Sequence, residues 1–192
     1  MSKNAMAAFD ANTRIAKKTA RVFFALWPDQ LAQEQLGEMA QRLQSVGGGR
    51  RTRTETIHLT LVFLGEVASS RLDALRLAAD AIESNRARGF DLVIDEIRYW
   101  KHNRIAWAGA RKIPQELLAL VNALQNSLAT AGFAFDKQAY VPHITLVRKA
   151  RCHELPDLAE PIVWRAREWV LVQSEPASDG SVYTPIGRWT LA

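Results

Sequence analysis

One tetrapeptide pattern occurs twice in this chain, and it constrains the fold more than any other feature. The pattern is His-apolar-Thr-apolar, read as HLTL at positions 58–61 and as HITL at positions 143–146. With four histidines, ten threonines and an apolar fraction of 48%, a chain of this length should contain about 0.05 such tetrads by chance. Two copies therefore indicate an internal repeat rather than an accident of composition.

The segments around the tetrads repeat as well. Apolar runs at 21–27 (RVFFALW) and 104–110 (RIAWAGA) predict strands, and each is followed by a proline suited to the first turn of a helix. Pro28 and Pro114 are 86 residues apart, and the two tetrad histidines are 85 apart. A near-constant offset over three elements predicts a duplicated strand–helix–strand unit, and hence two lobes related by a pseudo-twofold axis. The closing strands are expected at 57–64, ending at Gly65, and at 141–147.

The rest of the chain supplies further strands and one more helix. Ser70 and Asp73 mark a helix start, and residues 90–100 predict a strand that forms a hairpin with 104–110. The expected fold class is α+β, with two pseudo-symmetric lobes, each an antiparallel-rich sheet with outer helices, and a cleft between them. Residues 21–192 are expected to form this single bilobal domain after a polar tail at 1–20. Two last strands are expected at 162–173 and 182–191.

Charge and cysteine content narrow the class of protein. The net charge is +5 and the pI about 9.7, which is compatible with a polyanionic partner. Arg50, Arg51 and Arg53 follow a glycine run at 47–49 and have two interpretations, a phosphate-binding loop or, as the default, a solvated loop. The single cysteine, Cys152, excludes an internal disulfide and fits the cytoplasm. The sequence has no signal-like or bilayer-length apolar run, so no membrane association is expected.

The two tetrads suit acid–base chemistry at phosphorus. Side chains alternate along a strand, so His58 and Thr60 share one face, as do His143 and Thr145. One neutral and one charged imidazole can activate a water molecule and protonate a leaving oxygen, while threonine hydroxyls donate hydrogen bonds to non-bridging oxygens. Cys152 and His153 do not form a zinc signature. The expected reaction needs no metal ion and no other cofactor, and a strained 2′,3′-cyclic phosphate is a natural substrate.

The two motifs also resemble a known family. TIHLTLVFLGEV (56–67) and YVPHITLVRKA (140–150) resemble the signatures of the two-histidine phosphoesterase superfamily, and within it the bacterial RNA 2′,3′-cyclic phosphodiesterases, also named 2′-5′ RNA ligases. RVFFALWP, RIAWAG and SVYTPIGRWTL extend the resemblance over about residues 21 to 191. The resemblance implies a two-lobed α+β fold, conversion of a 2′,3′-cyclic phosphate end to a 2′-phosphate, and a reversible 2′-5′ ligation.

Site residues follow from the resemblance position by position. It implies His58 and His143 as the acid–base pair, with Thr60, Thr145 and Arg148 as phosphate ligands. It also implies that Phe63 stacks on the nucleobase. Strict alternation places Phe63 and Arg148 on the face opposite their histidines, so both need a twist, a bulge or a strand end to reach the cleft. Thr56 stands where the family commonly has asparagine. The resemblance favours His58 as the acid and His143 as the base.

Rival interpretations remain open. A module that binds RNA ends without turnover would keep the same cleft, and a relative acting on another 2′-linked phosphodiester would keep the same histidines. The expected partner is RNA with a 2′,3′-cyclic phosphate end, including tRNA fragments, bound by a monomer. His102 and His153 are interpreted as structural or exposed residues. The tryptophans at 100, 107, 164, 169 and 189 are interpreted as core.

Overall fold

The computed structural model describes residues 19–83, 88–136, 138–178 and 180–192. The predicted tail lies outside these ranges apart from Thr19 and Ala20, which begin the first strand. No helix in the described ranges is long and apolar enough to cross a membrane. The strands are β1 (Thr19–Leu26), β2 (Arg50–Arg51), β3 (Leu59–Ala68), β4 (Phe90–Ile94), β5 (Glu96–Trp100), β6 (Ile105–Gly109), β7 (Ile144–Arg148), β8 (Ile162–Ala166), β9 (Glu168–Ala177) and β10 (Gly180–Thr190). The helices are α1 (Gln30–Gly47), α2 (Leu72–Glu83) and α3 (Gln115–Thr130), with 3-10 turns at Thr54–Thr56 and Ser69–Arg71.

The predicted α+β class is confirmed, and the duplicated unit is visible in the sheets. One sheet has the order β10-β9-β1-β3 and the other the order β2-β7-β6-β5. In each, the two strands of the repeat pair antiparallel, β1 with β3 and β6 with β7. A strand that follows each copy joins the sheet of the other copy, since β5 pairs with β6 and β9 pairs with β1. This exchange ties the two lobes together.

Two predicted strands are each two strands. The segment 90–100 divides at Asp95, and only β5 joins the expected hairpin with β6, whereas β4 pairs with β8 in a separate two-stranded sheet. The segment 162–173 divides in the same way at Arg167, and β9 forms the expected hairpin with β10. At each division the chain leaves the two-stranded sheet of β4 and β8 and enters one of the four-stranded sheets. The prediction of single strands was wrong because neither break is marked by glycine or proline.

The helices begin close to the predicted prolines. Helix α1 starts at Gln30, and its N-cap is Asp29, whose carboxylate accepts a hydrogen bond from Ala32 N at 2.9 Å. Pro28 therefore precedes the cap residue, and the prediction that it lies in the first turn of the helix is wrong. Pro114 is the N-cap residue of α3, a position that loses nothing by lacking an N–H. Gly48, with φ of 60°, ends α1 where the glycine run predicts.

One apolar core serves both lobes. Helix α1 of the first copy contacts β7 and β8, while α3 of the second copy contacts β3. Each helix thus packs against strands of the other copy, which fixes the orientation of the lobes. The helices bury leucines against this core, and full burial of one such leucine is worth about 1.5–3 kcal/mol. The fully buried leucines of these helices are Leu36, Leu43, Leu75, Leu117, Leu124 and Leu128.

Candidate active site

Both tetrad histidines stand directly before a strand rather than inside one. Strand β3 begins at Leu59 and β7 begins at Ile144, so the expected closing strands start too early. Before His58, the backbone forms the 3-10 turn Thr54–Thr56 instead of pairing in a sheet, and Ile57 N donates to Thr54 O at 3.1 Å. Before His143, Pro142 has no N–H to give to a sheet. Strand β3 also continues past Gly65 to Ala68, so the predicted end at that glycine is wrong.

The two imidazoles are held by the same hydrogen bond. His58 Nδ1 lies 2.7 Å from Thr56 O, and His143 Nδ1 lies 2.9 Å from Val141 O. A carbonyl oxygen only accepts, so in each ring Nδ1 carries the hydrogen and Nε2 of the neutral ring has a free lone pair. The residue at position 56 acts through its main chain, so threonine serves there as asparagine would. Its hydroxyl donates to Arg53 O at 2.8 Å, which stabilises the 3-10 turn.

A bulge at the same place in both closing strands brings two predicted residues back to the histidine face. In the pairing of β1 with β3, Phe24 faces Val62 and Ala25 faces Thr60, which leaves Leu61 as an extra residue. Two consecutive buried residues follow the threonine, and the alternation changes phase. Phe63 is therefore 41% exposed rather than buried in the core.

The second lobe has the equivalent bulge. Ala106 faces Val147 and Trp107 faces Thr145, so the extra residue is Leu146. Arg148 is exposed at the end of β7, on the side of the cleft. Of the three features that could return these residues to the cleft, a bulge is present in both copies, at the fourth residue of each tetrad.

Two adjoining cavities form the cleft between the lobes. The first, of about 460 Å³, is lined by His58, Thr60, Phe63 and Arg148 together with further arginines. The second, of about 420 Å³, is lined by His143, Trp100 and Tyr140. Thr60 and Phe63 line both cavities, which places them between the two histidines. Thr145 is half-buried on β7 and lines neither of these two cavities of the described residues.

Burial makes both imidazoles weak bases. Burial lowers the pKa of His58 to about 4, against a smaller raising effect of the Thr56 carbonyl and smaller lowering effects of Arg148 and His143. Burial also lowers the pKa of His143, with Arg148 adding to the effect and the Val141 carbonyl opposing it. Both rings are therefore neutral at pH 7 in the absence of a bound anion. A phosphate group between them would raise both pKa values by attraction.

Aromatic rings supply much of this burial. Trp27 stacks on His58 with ring centroids 5.4 Å apart, and Phe23 and Tyr183 lie 4.9 and 5.3 Å from the same ring. On the other side, the Trp100 ring meets His143 edge-on at 4.7 Å. The interpretation of Trp100 as core is wrong, because the ring is half-buried and lines the second cavity. The other four tryptophans of that prediction are buried.

Several residues of the cleft were not found from the sequence. Tyr183 and Trp27 belong to segments quoted for the resemblance, but nothing in the pattern assigned them to His58. Tyr140 is three residues before His143, and its hydroxyl donates to Thr60 O at 3.1 Å, which joins the two lobes at the cleft floor. His102 is exposed, as expected, yet it lines the second cavity. His153 is exposed outside both cavities.

The donor set of the cleft is one of imidazoles, hydroxyls and guanidinium groups. Within the described ranges, no three His, Cys, Asp or Glu side chains lie close enough together to hold a metal ion. Neutral imidazoles can move protons at an anionic centre while hydroxyl and guanidinium donors hold its oxygens.

Comparison with known proteins agrees with this geometry. The sequence matches the family described as LigT like phosphoesterase over residues 26–107 and 109–183, one tetrad in each segment. It is 33% identical over 172 residues to an RNA 2′,3′-cyclic phosphodiesterase of Escherichia coli, covering 89% of this chain and 96% of that protein. A protein of the same name from Thermotoga maritima is 30% identical over 150 residues, covering 74% and 75%.

Solved structures show the same likeness in three dimensions. The apo form of Escherichia coli LigT superimposes with a TM-score of 0.81 at 32% identity, covering 91% of this chain and 99% of that one. The complex of the same protein with 3′-AMP gives the same TM-score, identity and coverage.

Proposed function

This chain belongs to the family of LigT-like phosphoesterases, and we propose that it is an RNA 2′,3′-cyclic phosphodiesterase that opens the cyclic phosphate at an RNA end to a 2′-phosphate. The observation that carries the proposal is the matched pair of imidazoles, each fixed through Nδ1 to a backbone carbonyl, in two adjoining cavities that share Thr60 and Phe63. The relatives named as RNA 2′,3′-cyclic phosphodiesterases support the substrate.

The reaction is a displacement at phosphorus. His143 accepts a proton from water through Nε2, and the water oxygen forms a bond to phosphorus. The bond from phosphorus to O3′ breaks, and His58 gives its proton to that oxygen, so the product is a 2′-phosphate with a free 3′-hydroxyl. One water is consumed, and the proton on His143 returns to His58 through solvent before the next turnover.

His58 must gain a proton before it can act as the acid, because its pKa is about 4 in the unliganded chain. A ring whose pKa lies near 4 is a strong acid once it is protonated, and the anionic substrate supplies the attraction that brings a proton onto it. His143 stays neutral and acts as the base.

Thr60 and Arg148 are proposed to hold the non-bridging phosphate oxygens, because both line the first cavity beside His58. Thr145 is proposed as the equivalent donor of the second copy. Phe63, exposed between the cavities, is proposed to stack on the base of the terminal nucleotide, as aromatic side chains do with unstacked RNA bases. Ligation uses the same groups, with a 5′-hydroxyl of a second RNA in place of water, and gives a 2′-5′ linkage.

The proposal extends to the cellular setting and the assembly state. The lone cysteine, half-buried beside Gly47, favours the cytoplasm, and we propose a monomer acting on RNA fragments such as those of tRNA. Light scattering of the purified protein measures its mass in solution, and a dimer would overturn the monomer.

The test is hydrolysis of an RNA oligonucleotide ending in a 2′,3′-cyclic phosphate, with EDTA present. His58→Ala and His143→Ala should each lower the rate of 2′-phosphate formation by about 10³-fold while remaining folded, as judged by circular dichroism. His153→Ala, an exposed histidine outside the cleft, is the matched control and should keep full activity. Binding without turnover by the unmodified chain would favour an RNA-end-binding module. Turnover only of other 2′-linked diesters would shift the substrate, and loss of activity in EDTA would contradict the metal-independent mechanism.

A further inference from the structure

The first cavity contains far more positive charge than one cyclic phosphate requires. Five arginines line it, and none of its lining residues is acidic. The second cavity differs, because its described lining includes Asp136 and neither arginine nor lysine. Among the described residues, the positive charge of the cleft is therefore concentrated in the first cavity. The five arginines are Arg21, Arg50, Arg51, Arg53 and Arg148.

Backbone pairing brings the arginines of positions 50–53 to this place. Arg50 pairs with Arg148 and Arg51 with Val147 along the edge of the second sheet. Gly49 makes the approach possible, since its φ is +85° and a Cβ there would lie 2.5 Å from Arg148 O. Arg50 and Arg51 are exposed, as the default interpretation of a solvated segment expects, but they form a short strand and line the first cavity.

The opposite wall comes from the other lobe. Arg53 Nη2 donates to Ser181 O at 2.9 Å, which joins the arginine segment to strand β10. Arg21 lies on β1, with its guanidinium 5.0 Å from the centre of the Phe63 ring. Positive side chains thus enclose the cavity from both sheets.

The carboxylates that the structure describes match little of this charge. Among the described residues, the ion pair given for these five arginines joins Arg53 to Glu55, at 3.3 Å between two exposed side chains. Guanidinium groups gathered without carboxylates repel one another, and a bound anion removes that repulsion. Arg148 and Thr60 are committed to the reacting phosphate in the proposed function, which leaves the remaining arginines for another anion.

We infer that the arginine-lined cavity binds the phosphate on the 5′ side of the terminal nucleotide, so that the RNA chain leaves the cleft through the first cavity. This rests on the proposed function for the position of the cyclic phosphate. With that phosphate at the histidines and its base at Phe63, the 5′-oxygen leads to a second phosphate, which needs positive partners. The ligand chemistry is a phosphate at that position, either a phosphodiester within RNA or a 5′-terminal phosphate.

The experiment compares four substrates that share the reacting group. They are a nucleoside 2′,3′-cyclic phosphate, the same nucleotide with a 5′-phosphate, and a dinucleotide and a tetranucleotide with cyclic phosphate ends. The double variant Arg50→Gln/Arg51→Gln should lower kcat/KM roughly tenfold for the dinucleotide and tetranucleotide. It should leave the cyclic mononucleotide within about twofold. If kcat/KM also falls for the 5′-phosphorylated mononucleotide, the site accepts a terminal phosphate. If kcat/KM for that substrate is unchanged, the site binds only a phosphodiester.

Control variants separate this site from general charge effects. Arg42→Gln removes a charge from the exposed side of α1, outside both cavities, and should leave kcat/KM unchanged for all four substrates. Arg50→Lys/Arg51→Lys keeps the charge and should keep most of the salt dependence. Equal loss on all four substrates, or no loss on the dinucleotide and tetranucleotide, overturns the inference.

Binding provides a measurement that does not depend on turnover. The affinity of a 5′-fluorescent tetranucleotide, followed by anisotropy over a range of salt, should fall with a log–log slope smaller by roughly 0.7 for each lost phosphate contact in the Gln double variant. If the chain has no hydrolase activity but this slope changes, the proposed function fails and the phosphate site stands. An unchanged slope overturns the site even if hydrolysis is normal.

Discussion

The two histidines have the same backbone setting and different surroundings. Each ring is fixed by the carbonyl two residues before it, and each is followed by a threonine and then by a bulge. His58, however, lies among three aromatic rings, one of them stacked on it, whereas His143 meets two tryptophan rings edge-on. Duplication therefore accounts for the geometry of the pair, and the substitutions around it account for the difference in acidity that distinct acid and base roles require.

The largest expected effect tests whether the two rings act as one unit. His58→Ala and His143→Ala should each lower kcat by about 10³-fold, a typical contribution of general acid–base catalysis. The double variant should be no worse than either single variant by more than a few fold, because half of an acid–base pair does little alone. Single-turnover rates on a cyclic-phosphate oligonucleotide measure this. A double variant with the product of both losses would mean that the rings act independently.

The sequence predicted the shared geometry better than the difference. The repeat, its helices and the two histidines could be predicted because they depend on local periodicity and on an offset along the chain. The bulges also have a local sequence signal, since two apolar residues in succession follow each threonine, Leu61-Val62 in the first copy and Leu146-Val147 in the second. Their consequence for Phe63 and Arg148 needs the register of the neighbouring strands, which a single strand does not reveal.

Contacts between distant segments lay beyond sequence reasoning. Tyr183 reaches His58 from β10, and Arg53 reaches Ser181 across the cleft, in both cases over more than a hundred residues of chain. Such contacts depend on the exchange of β5 and β9 between lobes. The divisions at Asp95 and Arg167 that permit this exchange are marked by neither glycine nor proline, so the periodicity predicted one strand where there are two.

The next effect concerns stability and should distinguish the histidines by pH. The pKa of His58 is about 4 in the folded chain and 6.5 in the unfolded chain. Between these pH values the unfolded chain binds a proton that the folded chain does not. The free energy of unfolding therefore falls as the pH falls from 6.5 to 4. The loss is about 3 kcal/mol in the free energy of unfolding. Urea unfolding across this range should show a flatter pH dependence for His58→Gln than for the unsubstituted chain. If His143→Gln flattens the curve more, the order of the two environments is wrong.

Arg148 should affect both rings at once, because its charge lowers the pKa of His58 and of His143. Arg148→Gln should raise both pKa values, as followed by NMR titration of the imidazole protons. It should also lower kcat/KM for the cyclic phosphate by roughly 10- to 100-fold, the worth of a charged hydrogen bond of about 1.5–3 kcal/mol. Arg148→Lys should keep the pKa values low but recover only part of the activity, since an ammonium cannot donate in parallel to two oxygens. A change confined to one histidine would place Arg148 on one side of the cleft only.

The smallest expected effect isolates the aromatic surroundings. Trp27→Ala opens the stacked face of His58 to water and should raise its pKa from about 4 by about 1, because less of the desolvation remains. His143 should not respond, since Trp27 contacts the other ring. Trp100→Ala should do the reverse, raising the pKa of His143 and leaving His58 unchanged. Both shifts are measured in one NMR titration series without substrate. If Trp27→Ala moved the two histidines equally, the acidity of His58 would come from the charge of the whole cleft, and the division of roles between acid and base would need a source other than the aromatic rings.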